Sequence, residues 1–182
     1  MRFRKTESVA DRSVRAPAVA GSFYPGAPET LSGQVKEFIH SADLKKIPGK
    51  LVGLIAPHAG YDYSGHVAGH AYRQLAGKSF DTVILIGLSH RYPVRGAAIY
   101  AHGTFHTPLG NIGIDEEVTA RIMELNDSVT HLPAAHENEH SLEVQLPFLQ
   151  HSLPGAHIVP ILLQDDSPEN VNRLSESIAH AI

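Results

Sequence analysis

Three histidines carry most of the chemistry this sequence can offer. The first stands in Pro57-His58-Ala59-Gly60-Tyr61-Asp62-Tyr63-Ser64-Gly65. The second closes Gly87-Leu88-Ser89-His90, and the third lies in His136-Glu137-Asn138-Glu139-His140-Ser141-Leu142-Glu143. Imidazole is the commonest metal ligand and the usual proton carrier near neutral pH. His58 and His90 each stand two residues past a short apolar run, LVGLIA (51–56) and TVILIGL (82–88). If both runs are neighbouring parallel strands, the two rings leave equivalent strand ends, where α/β sheets bind ligands, and face one metal-binding cleft. Two loop histidines bonding backbone would satisfy the same pattern. His140 admits three roles: a further ligand, a general acid–base group, or a donor to an oxyanion. Glu137 and Glu139 read as a solvated acidic helix start. Tyr61, Tyr63 and Ser89 are candidate substrate contacts in the cleft.

Other chemistries fit less well. His66 and His70 have the i, i+4 spacing of two-point metal binding, but position 67 is valine, so the HExxH pattern is broken. No GxxxxGK[ST], well-placed GxGxxG or GxSxG is present. Cysteine is absent, which removes disulfides, thiolate catalysis and cysteine-held zinc together. With 13 histidines, a metal site here would draw on nitrogen and oxygen donors. A net charge of −4 gives no basic face for nucleic acid, and no apolar run has membrane-spanning length. The expected partner is a small-molecule or peptide ligand, with neither nucleic acid nor membrane, and the expected location is cytoplasmic. The oligomeric state is open.

The elements that must position these residues follow from periodicity. Residues 1–15 read as a flexible basic leader and 16–182 as a single α/β domain. Helices are expected over about 29–41, 64–75, from Asp115 onward, over 141–150 with a kink at Pro147, and after Ser167-Pro168. Strands are expected at 51–56, 82–88, 97–101 and 157–163, the last at an edge or bulge because of Pro160. Thr104 to Ile114 reads as a loop with short extended pieces. This order predicts a mostly parallel or mixed sheet with helices on both faces. In that alternation a strand should follow Ile182, so the domain is expected to be C-terminally truncated.

Five separated segments then act together: AGSFYP (Ala20 to Pro25), APHAGYDYSG (Ala56 to Gly65), IGLSH (Ile86 to His90), TPLG (Thr107 to Gly110) and ENEHSLEVQLPFL (Glu137 to Leu149). In order and spacing the chain resembles the Memo-like protein family over nearly all its length after Arg15. The resemblance implies a fold like that of class III extradiol ring-cleaving dioxygenases, which hold non-haem Fe(II) on two histidines and a carboxylate. It implies His58 and His90 as metal ligands, and His140 as a catalytic proton relay or second-sphere donor. The implied cofactor is Fe(II), with zinc or copper as alternatives, and the implied activity a metal-dependent oxidoreductase. Memo proteins are also associated with phosphotyrosine-containing peptides. A non-catalytic protein binding a peptide or small ligand in the same cleft is therefore the alternative, and a hydrolase with metal-activated water a lesser one. Family members run on well past this length, and the third metal ligand is expected in that further region. Two histidines alone would bind metal weakly.

Overall fold

The computed structural model describes residues 14–45 and 47–182. A two-residue strand, β1 (Val14–Arg15), leads through a turn-rich segment to α1 (Pro28–Ser41). Proline suits the first turn of α1, where its missing N–H has no partner to lose, and Leu31, Val35 and Ile39 form the buried stripe. α2 (Tyr61–Tyr72) packs on α1, and a 3-10 turn continues it to Leu75. The two helices touch through glycine. A Cβ on Gly69 would lie 2.2 Å from the Phe38 carbonyl oxygen, and one on Gly65 would lie 2.4 Å from the Phe38 ring. The GxxxG spacing in the sequence is therefore a helix-packing device here.

The central sheet contains β2 (Thr82–Leu88), β3 (Ala97–Ile99), β6 (Val129–His131) and β7 (His157–Leu163), in the order β2-β7-β3-β6. β2 and β7 run parallel from Thr82 opposite His157 to Leu88 opposite Leu163. β3 is antiparallel to β7 and parallel to β6. A second, three-stranded sheet joins β1 to the hairpin of β4 (Thr104–Thr107) and β5 (Gly110–Gly113). α3 (Glu116–Leu125) is capped by Asp115, whose side chain accepts from the Val118 N–H. α4 (Pro133–Glu137) and α5 (Leu146–Ser152) flank the third histidine motif, and α6 (Pro168–Ala181) opens on a Ser167 cap, whose side chain accepts from the Asn170 N–H.

The mixed α/β architecture with helices on both faces is the one expected. Alternation along β7 divides the core. Ile158 and Leu162 join the apolar cluster of α1, α2 and α5, while Val159 and Ile161 join that of α3 and α6.

Several sequence expectations are corrected. Residues 51–56 join no ladder, and Val52 and Ile55 are 91% and 99% exposed, so LVGLIA is not a buried strand in this structure. The βαβ premise for placing His58 therefore fails, although its loop still reaches the cleft. β7 is central rather than an edge, despite Pro160. Proline still leaves its mark. Tyr100 donates to the Pro160 carbonyl at 3.2 Å, but Pro160 has no N–H to return, and the β3–β7 ladder stops at Ile99 instead of reaching Ala101. The expected helix 141–150 is a 3-10 turn (Glu143–Gln145) followed by α5, because Pro147 opens a helix rather than kinking one. The segment 104–114 is a hairpin. Arg15, assigned to the leader, is 5% exposed and forms part of the core; residues 1–13 lie outside the described residues.

Among the described residues no helix is long and apolar enough to cross a membrane.

Candidate metal centre

The loop carrying His58 is fixed from both sides. Gln145 Nε2 donates to the Pro57 carbonyl at 3.0 Å, and the Tyr61 N–H donates to the Phe23 carbonyl at 2.7 Å. His90 leaves β2 at its carboxyl end. There Ser141 Oγ donates to the Leu88 carbonyl at 2.8 Å, which stitches the strand to the third motif. The approach is close: a Cβ on Gly87 would meet the Leu142 side chain at 2.7 Å and Ser141 Oγ at 2.8 Å. Three separate chain segments thus bring His58, His90 and His140 together. Their ring centroids lie 5.3 Å (His58–His90), 5.9 Å (His58–His140) and 4.7 Å (His90–His140) apart. One ligating atom from each falls within 4.8 Å of the other two.

Glu139 organises this cluster. Its Oε2 accepts the His90 N–H at 2.6 Å. Its Oε1 lies 3.0 Å from His90 Nδ1 and accepts the backbone N–H groups of His140 and Ser141 at 2.8 and 2.9 Å. Burial by itself would raise the Glu139 carboxyl, but these hydrogen bonds outweigh it and hold the group at about 2. An ionised Glu139 accepts a hydrogen bond from His90 Nδ1–H, the tautomer that leaves the Nε2 lone pair free. The ring of His140 packs against Phe23 at 4.9 Å between centroids. Burial lowers its pKa, opposed by Glu139 and assisted by His90, His58 and Arg91, so the neutral ring, the form that binds metal, is favoured at neutral pH.

Beneath the cluster lies a buried ion pair. Glu143 is fully buried and forms a salt bridge with Arg15. It also accepts from the N–H groups of Ala18 and Val19 at 2.8 and 3.0 Å and from Tyr24 Oη at 2.6 Å. Arg15 donates further to the His136 carbonyl at 3.0 Å and to that of Glu139. The N-terminal segment is thereby clamped under the third histidine motif.

Not every candidate enters the cleft. Tyr61 is 2% exposed and donates to the Val144 carbonyl at 2.8 Å, so it is a core residue rather than a substrate contact. Ser89 is buried in a turn, with Oγ donating to the Tyr92 carbonyl at 2.6 Å. Tyr63 is solvent-exposed on α2, and His66 and His70 are exposed outside the cluster. His140, which the residues alone leave open as a further ligand, an acid–base group or an oxyanion donor, offers a ring nitrogen within 4.8 Å of one from each of His58 and His90. Glu139 is buried, against the solvated-helix reading; Glu137 is exposed, as that reading requires. Sequence reasoning missed Glu139, Glu143, Arg15 and Phe23 as site-building residues. Glu143 carried a signal, since a glutamate between Leu142, Val144 and Leu146 is buried by pattern and needs a partner.

His136, on α4, is 1% exposed. Its Nε2 lies 3.2 Å from the Ala98 carbonyl, and its Nδ1 has no hydrogen-bond partner. Burial outweighs the Ala98 contact and lowers its pKa to about 3. The unfolded chain takes up this proton below about 6.5 and the folded chain does not. This contribution to stability is complete above pH 6.5 and is lost as pH falls toward 3. The expected slope is about 1.4 kcal/mol per pH unit over that interval. Urea titrations of wild type and His136→Asn from pH 7 to 3.5 check it: equal slopes in both would remove His136 as the source.

A cavity of about 350 Å³ lies at the opposite end of the sheet, against Leu109, Gln150, Leu153 and His157. It is remote from the histidine cluster, which sits beyond the carboxyl end of β2, where α/β sheets place their ligands.

The mixed sheet, with three histidines gathered at a strand end and a buried carboxylate behind one of them, defines an α/β protein built around a candidate metal centre. The Memo-like protein family model matches residues 15–182, and the chain belongs to that family. A MEMO1 family protein of Caldivirga maquilingensis is 40% identical over 177 residues, covering 92% of this chain and 62% of its own length. Those of Methanobrevibacter smithii and Sulfolobus acidocaldarius are 39% and 37% identical, with 92% and 91% of this chain and 63% and 62% of their own lengths covered. The chain thus spans less than two thirds of the curated relatives it matches.

Proposed function

We propose that His58, His90 and His140 hold one redox-active metal ion, Fe(II) foremost, and that the protein acts as a metal-dependent oxidoreductase of extradiol-dioxygenase kind. The observation that carries this reading is the Glu139–His90 contact. A buried carboxylate on Nδ1 is the partner that a metal-ligating histidine ordinarily has, and a histidine bonding only backbone has no use for it. The donor set fits such an ion, since three neutral imidazoles suit iron, zinc or copper. When bound, the metal would supply oxygen activation and a positive charge to orient an oxygen-bearing substrate. The residues supply the rest. Glu139 keeps His90 in one tautomer, burial keeps His140 neutral, and Phe23 walls one side of the His140 ring.

Anaerobic titration with Fe(II), Zn(II) and Cu(II), followed by oxygen uptake with catechol-type substrates, tests the reading. Tight Fe(II) binding with turnover is the expected result. Absence of metal binding sinks the metal centre, while binding without turnover sinks the oxidoreductase assignment alone. The openness of the cleft, where the His90 side chain is 37% exposed, favours ligand binding without chemistry as the second reading. Peptide binding that persists in chelator would establish it.

A further inference from the structure

Four groups act electrostatically on the His140 ring: Glu139, His90, His58 and Arg91. His58 and His90 are its companions in the cluster, so the fixed charges of the cleft are Glu139 and Arg91. They differ in what they can still bind. The Glu139 side chain is 2% exposed, and its oxygens are already taken by His90, His140 and Ser141. Arg91 is exposed, and among the described residues its guanidinium has neither an ion pair nor a hydrogen bond. A group entering from solvent therefore meets an unspent cation next to His90, while the anion of the site is buried. The backbone beneath that cation is held. The Ser89 N–H donates to the Leu163 carbonyl at 2.8 Å, Ser89 Oγ to the Tyr92 carbonyl at 2.6 Å, and the Val94 N–H to Gln164 Oε1 at 3.0 Å. The bend that presents His90 thus presents Arg91 from the next position, anchored to the end of β7. A guanidinium offers a planar fork of donors that matches carboxylate or phosphate oxygens two at a time.

We propose that Arg91 is the specificity-determining residue of the cleft and selects a substrate that carries an oxyanion, a carboxylate or a phosphate, besides the oxygens it offers to the metal. Arg91 has this role only if the histidines hold a metal, as proposed above. The guanidinium contacts the oxyanion and fixes which end of the substrate faces the histidines. Neutral substrates of the same shape lose that contact and bind less tightly.

The test uses the Zn(II)-loaded chain and three probes that share a catechol: 3,4-dihydroxybenzoate, its methyl ester, and 3,4-dihydroxyphenylphosphonate. Calorimetry gives the preference for each charged probe over the neutral ester. For at least one charged probe that preference should be about tenfold greater in wild type than in Arg91→Gln. Arg91→Lys should keep part of it, since the charge remains and the fork is lost. The Arg91-dependent part should shrink in about 0.5 M salt, as an exposed charge requires. A gain with the carboxylate alone assigns a carboxylate substrate, and one with the phosphonate alone a phosphate. Zn(II) titration without probe comes first: a chain that binds no Zn(II) sinks the metal centre and the role of Arg91 together. A chain that binds Zn(II) but shows equal preferences in wild type and Arg91→Gln keeps the metal centre and overturns the role of Arg91 alone.

Discussion

Replacing Glu143 by alanine should destabilise the fold by about 3–5 kcal/mol, the range for removing one partner of a buried ion pair. The size follows from what is left behind. Arg15 would keep its charge in a 5% exposed site with two backbone carbonyls and no counter-charge, while the Ala18 and Val19 N–H groups and Tyr24 Oη would lose their acceptor. Glu143→Gln keeps the shape and part of the hydrogen bonding and should lose less. Urea denaturation at pH 7 measures both. A Glu143→Ala loss under about 1 kcal/mol would mean that the clamp contributes little. The same clamp holds the Ala20–Pro25 segment, and with it Phe23, against the cleft, so metal affinity should fall along with stability.

His90→Ala should weaken metal binding by more than roughly 100-fold, and Glu139→Gln by about 10–100-fold. The first removes a nitrogen of the proposed ligand set. The second removes the charge that fixes the His90 tautomer, although Gln can still accept from some of the three backbone N–H groups that Glu139 holds. Calorimetric titration with Zn(II), which avoids oxidation during the measurement, separates the two from wild type. Equal affinity in wild type and His90→Ala would remove His90 from the ligand set. If Glu139→Gln matches wild type, the carboxylate organises the loop alone. The titration belongs at pH 7 or above, where His140 is neutral. Lowering the pH protonates the ligands and should weaken binding in every variant.

Much of the fold was legible because its signals are local. TVILIGL and HIVPILL became β2 and β7 with the expected bounds, and the Asp115 and Ser167 caps opened α3 and α6 where the sequence placed them. The misses are tertiary. LVGLIA has strand composition, but a strand needs a neighbour to bond, and none of the described residues provides one. Pro160 argued for an edge, yet β7 is central because Tyr100 needs only the proline carbonyl at that step. Glu139 looked solvated because a charged residue before a helix ordinarily is. Burial became affordable only once His90, 49 residues away, and three backbone N–H groups met its oxygens.

By itself the sequence determined the α/β class, the family, and the three histidines most worth watching, because spaced motifs and apolar periodicity are written along the chain. The tertiary structure decided the rest. It gathered ring nitrogens of His58, His90 and His140 within 4.8 Å of one another, buried Tyr61 and Ser89 outside the cleft, and paired Arg15 with Glu143 across 128 positions. Convergence of distant side chains depends on how helices and strands pack in three dimensions, and no local pattern in the chain encodes which distant residue will complete a site.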